Sequence, residues 1–132
     1  MRAGDLTAAQ ADLQRAFQID PHRATAWVAS GHISLLNMDY EGAINAELRA
    51  QAIDPTIAES YLIIGKAYQG IGLSASALRP LEGYVTYAPD DPDGWLVYGQ
   101  ALLAEGEAHA AIEMLGLAIA LAPRLTEAYL VR

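Results

Sequence analysis

Pro21, Pro55, Pro89 and Pro123 divide the 132-residue chain at a constant interval of 34 residues. Ile19, Ile53, Tyr87 and Leu121 each stand two places before one of them. A helix-stopping residue that stays in phase over this length marks one supersecondary unit copied in tandem. Such a unit cannot bury its own apolar face and has to stack on its neighbours. The product is an extended surface rather than a closed catalytic pocket.

Three further columns keep the same interval. Trp27, Tyr61, Trp95 and Tyr129 form an aromatic column, and Gly31, Gly65 and Gly99 a glycine column. Ala9, Ala43, Ala77 and Ala111 form a third. Trp27, Gly31 and Ser34 fall at helical spacing, as do Tyr61, Gly65 and Tyr68, then Trp95, Gly99 and Leu102. A second helix is expected after each first one, over 41–53, 74–87 and 108–121, with a leading copy at about 6–19. Gly4, Gly72 and Gly106 fall in the turns, where left-handed backbone favours glycine. Eight helical segments are expected in all.

These columns resemble the tetratricopeptide repeat, which places an aromatic, a glycine, a small alanine and a closing proline within 34 residues. The resemblance implies an all-α fold, a right-handed superhelical solenoid of helix-turn-helix repeats. It divides residues 1–132, taken as a single domain, into a half repeat (1–23), three full repeats (24–57, 58–91, 92–125) and the start of another (126–132).

Several residues depart from the pattern. Tyr84 stands where the other repeats have Ala16, Ala50 and Ala118, so that helix pair is spread or the ring turns outward. Glu47 replaces the apolar residue seen as Leu13, Leu81 and Leu115. Pro80 falls inside an expected helix and should bend it by removing the bond to Ser76. Gly42, Gly83 and Gly116, also within second helices, each cost roughly 1 kcal/mol relative to alanine. The repeat over 58–91 is the one expected to be irregular.

Composition narrows the function classes. Sixteen acidic residues against eight basic ones give a net charge of −8, and the seven arginines are scattered rather than striped. Nucleic acid and anionic membrane are therefore disfavoured, since both need clustered Lys and Arg; solubility of an apolar-rich surface explains the acidity. No run approaches the ~20 apolar residues that span a bilayer, and no secretion signal opens the chain, so a cytoplasmic location is the expectation. The absence of cysteine excludes disulfides and thiolate metal sites. Both ends fall within a repeat, which is expected of a piece of a longer protein, or of a short one pairing through its open ends.

In the family the first helices line a concave groove that holds peptides. Helical geometry puts Val28, Leu62, Leu96 and Leu130 about 100° around from the aromatic and glycine columns. Beside this aliphatic column run His32, Lys66 and Gln100, with Leu35, Gln69 and Leu103 at the far end. Thr25, Glu59, Asp93 and Glu127 lie at the near end. An apolar strip left over after packing suits a binding groove, and at ~10 Å per helix it would span about 30 Å, room for roughly nine extended residues. The alternative is that the next helix simply covers Leu62 and Leu96. Lys66, the chain's one lysine, either anchors a ligand carboxylate or pairs with Glu59. The carboxylate-clamp subtype is not matched, because its basic positions read Val28, His32, Leu62, Lys66, Leu96 and Gln100.

The remaining motifs carry no chemistry. His32 has no second histidine at ligand spacing. Asp90, Asp91 and Asp93 around Pro92 read as a helix cap, with Asp91 at the cap position. Gly70 and Gly72 lack the preceding strand of a dinucleotide loop. No catalytic residues, metal or cofactor are implied. The reading is a non-catalytic protein-interaction scaffold that binds a peptide or partner helix. A regulatory or substrate-recruiting segment of a larger enzyme is the alternative, as is a module that self-associates through Tyr129, Leu130 and the leading helix around Leu6, Leu13 and Phe17.

Overall fold

The computed structural model describes residues 3–19 and 23–122, with side chains for 7–15 and 23–122. Among the described residues there are seven helices and no strand: α1 (Ala3–Ile19), α2 (Ala24–Leu36), α3 (Tyr40–Ile53), α4 (Ala58–Ile71), α5 (Ser74–Tyr87), α6 (Pro92–Ala104) and α7 (Ala108–Leu121). The eighth expected segment lies outside the described residues, as do Pro21, Pro123, Tyr129 and Leu130. Each helix packs on its chain neighbours, and α2, α4 and α6 also touch in order. The result is an all-α solenoid in which α2, α4 and α6 form one layer and α3, α5 and α7 the other.

The turns within the helix pairs repeat one geometry. The N–H groups of Asp39, Leu73 and Glu107 donate to the carbonyls of Ser34, Tyr68 and Leu102 at 2.8–2.9 Å. This six-to-one closure needs left-handed backbone at the residue before. Gly72 and Gly106 supply it with φ of 91° and 80°, whereas the turn after α2 has Met38 there at φ 61°. Gly4, expected in a turn, is instead already within α1.

The turns between pairs explain why aromatic and proline columns travel together. The Tyr61 hydroxyl donates to the carbonyl of Pro55 at 2.6 Å, and the Trp95 indole N–H to that of Pro89 at 2.7 Å. Proline ends the second helix, and its carbonyl then receives the polar tip of the next first helix's aromatic. Asp91 caps α6 by accepting from the Asp93 N–H at 3.0 Å, with Pro92 in the first turn, as the sequence led us to expect.

Glycine and its facing residue set the spacing inside each pair. A Cβ on Gly99 would meet Leu115 Cγ at 2.8 Å, and one on Gly65 would collide with Leu81. The same place over Gly31 is occupied by the Glu47 carboxylate. Two apolar clusters fill the layer between: one around Val28, Ala43, Ile44, Ile63 and Ala67, the other around Ala77, Leu81, Val97 and Ala101. Tyr68 packs against both.

The irregular residues over 58–91 are absorbed locally. Helix α5 continues through Pro80. Tyr84 does not turn outward: its ring is buried over Gly94, at 2.6 Å from where a Cβ would stand, and its hydroxyl donates to Asp91. The preceding pair has the smaller Ala50 and the larger Ser60 at these two positions, so one change of volume compensates the other. The costlier departure falls earlier, at Glu47.

Candidate functional site

The layer of α2, α4 and α6 carries the residues singled out from the sequence, and burial sorts them. Each first helix is flanked by the next one, α2 by α4 and α4 by α6. Val28 is accordingly 5 % exposed and belongs to the core. Leu62 is half-buried against the second apolar cluster, and Leu35 is half-buried against the first. Leu96 and Leu103 on α6 are 41 % and 57 % exposed, having no further first helix beside them among the described residues. Leu130 and Glu127 lie outside those residues.

The polar positions differ as much. Lys66 Nζ lies 2.9 Å from Asp93 Oδ2, so its partner is on the following first helix and not Glu59 as expected. Gln69 Nε2 donates to the Val97 carbonyl at 3.2 Å, a second strut between α4 and α6. His32 and Gln100 are exposed, as are Thr25 and Glu59. What α2 and α4 leave between them is a notch of about 260 Å³ over Val28, Ala29, Ile33 and Ile57, with Thr25, His32 and Glu59 at its edge.

Glu47 is the electrostatic anomaly. It is fully buried, and neither carboxylate oxygen has a hydrogen-bond partner among the described residues. Ser60 is near, but its hydroxyl donates to the Glu47 main-chain carbonyl at 3.4 Å and accepts from Gln51 Nε2 at 3.2 Å. Burial pushes the Glu47 carboxyl up to about 8; Ser60 offsets a part of that rise, and the charge of Glu59 adds to it. Burial likewise raises the Tyr84 hydroxyl, with Asp91 the next contributor.

A cleft on the second-helix layer had no counterpart in the sequence reading. About 310 Å³ in volume, it lies among Leu48, Tyr61, Ile64, Tyr68, Arg79 and Pro80, on α3, α4 and α5. The seven-residue spacing of Tyr61 and Tyr68, which puts both rings on one face of α4, was its available signal. Among the described residues no cluster of three or more His, Asp or Glu is placed to hold a metal ion, and no helix is long and apolar enough to cross a membrane.

A repeated helix pair closed by proline, with glycine facing a large residue and an aromatic tied to the preceding turn, defines a helical-repeat solenoid. A tetratricopeptide repeat sequence model matches residues 1–56 and 64–125, and the chain belongs to that family. Among solved structures it is similar to a crystal structure of MamA, at 21% identity and a TM-score of 0.77, covering 87% of this chain and 67% of that one. A MamA RS-1 double mutant gives 19% and 0.82, covering 92% and 68%, and the structure titled MamA MSR-1 C2 gives 15% and 0.76, covering 92% and 70%. The chain thus spans about two thirds of their length, and at these identities the likeness is one of fold. No curated protein matches it by sequence.

Proposed function

We propose that the chain is a non-catalytic scaffold that holds a partner peptide or partner helix along the face of α2, α4 and α6. The observation that supports this reading is the open notch between α2 and α4 over Val28, Ile33 and Ile57, together with Leu96 and Leu103, which are exposed among the described residues of α6, on the layer of first helices. Each exposed leucine that becomes buried contributes ~1.5–3 kcal/mol before the cost of ordering the partner. Leu62 packs into the core, so the test uses the exposed pair. Leu96→Glu with Leu103→Glu should remove binding of partners captured from the source cell while leaving far-UV circular dichroism unchanged. Full retention of every partner by that variant would discard the reading.

A second reading, self-association, rests on α7. Ile112 and Ile119 are 67% and 69% exposed, yet they stand in register with Leu78 and Val85, which α5 turns toward α6. Two exposed isoleucines on one face of α7 offer a second copy an apolar contact. A monomer's sedimentation mass at every concentration rules that out.

A further inference from the structure

The 34-residue register places His32 where the next repeat has Lys66, and Glu59 where it has Asp93. Across α4 and α6 those two positions close on each other as an ion pair at 2.9 Å. Across α2 and α4 they do not: Glu59 has no ion pair among the described residues. The physical reason is His32, whose ring is shorter than the lysine chain that reaches the next first helix one repeat later. The notch between α2 and α4 therefore stays open, with a buried aliphatic floor of Val28 and Ile33, Ile57 beside it, and an unneutralised carboxylate at the rim. At about 260 Å³ it falls short of the roughly 300–1,000 Å³ of small-molecule pockets and suits a side chain.

We propose that this notch receives a lysine-bearing aliphatic segment of a partner protein, its ammonium on Glu59 and its neighbouring aliphatic side chain over Val28, Ile33 and Ile57. The proposal rests on the groove reading above and names the chemistry of its occupant. The fold itself supplies the precedent, because Lys66 on Asp93 is the same contact made within the chain one repeat later. Charge agrees, since a net charge of −8 attracts a cationic segment at long range.

The probes are three fluorescein-labelled peptides of about ten residues, a length matched to the groove, with a central leucine flanked by lysines, serines or glutamates. Fluorescence anisotropy at low salt should show binding of the lysine peptide, weakened by added salt. Glu59→Gln should lower that affinity about two- to fivefold, the range for an exposed ion pair. His32→Lys should lower it similarly, by building a second internal copy of the Lys66–Asp93 pair, and Glu59→Lys should turn the preference to the glutamate peptide. Equal binding of all three peptides, no binding of the lysine peptide, or unchanged affinity in both Glu59→Gln and His32→Lys overturns the proposal. Loss of every peptide in the Leu96→Glu/Leu103→Glu variant, with those two substitutions silent, leaves the groove reading standing and removes this one. Peptide binding that ignores the two leucines but responds to Glu59 confines the site to the notch and removes the longer groove.

Discussion

Removing the charge of Glu47 should stabilise the fold strongly and in a pH-dependent manner. The carboxyl is fully buried against Gly31, without a hydrogen-bond partner for either oxygen among the described residues. Its affinity for a proton rises on folding, from an ordinary 4.5 to about 8. A raised folded-state pKa means that the native chain holds the proton more tightly than the unfolded one. Stability is then full below about pH 4.5 and declines as pH climbs through about 8. At 1.36 kcal/mol for each tenfold change in proton affinity, the decline totals about 5 kcal/mol. That is a ceiling, because the fold relaxes and admits water around a buried ion, and it is on the scale of the whole stability of a small domain. Glu47→Leu restores the residue type that packs on Gly65 and Gly99 in the next two pairs, removing both the charge and the unsatisfied oxygens. Urea titrations followed by circular dichroism at about pH 5 and about pH 8 measure the effect. The native chain should lose several kcal/mol between the two, Glu47→Leu should lose far less, and Glu47→Gln should flatten the dependence while gaining less stability. An unchanged urea midpoint for the native chain across that range would refute the reasoning, as would a Glu47→Leu variant no more stable than the native chain at the higher pH.

Two backbone predictions follow from the repeat geometry. Met38 holds a left-handed conformation that Gly72 and Gly106 adopt freely, so Met38→Gly should raise stability by about 0.5–1 kcal/mol, measured as a higher thermal midpoint; a lower one contradicts the strain argument. A Cβ on Gly65 collides with the fully buried Leu81, so Gly65→Ala should cost about 1–3 kcal/mol in urea denaturation, whereas a neutral effect would show that α4 and α5 can part without penalty.

The helix order was legible in the sequence because its signals are local. The prolines at the 34-residue interval follow helix ends, Gly72 and Gly106 fit the left-handed turn, and the apolar spacing shows which face turns inward, although Pro80 and Gly4 lie inside helices. Six of the seven described helices begin within one residue of the expected starts, and α1 begins earlier because Gly4 continues the helix instead of breaking it. The odd residues were visible too, but their outcomes were not. Tyr84 is accommodated by Gly94, ten residues away on the next helix, and Glu47 is buried because its place in the repeat is fixed by Gly31 on another helix.

The candidate site was legible only as a set of columns. A column of aliphatic residues at one spacing says that Val28, Leu62 and Leu96 share a face; it does not say how far the neighbouring helix covers each of them. Tertiary packing turned one column into a core residue, a half-buried one and an exposed one. It also took Lys66 away from Glu59 and gave it to Asp93, which left Glu59 unpaired among the described residues at the edge of an open notch. The period of the chain determined which residues recur. The distance between α2, α4 and α6, set by side chains far apart in sequence, decided which of them meet solvent and which meet each other.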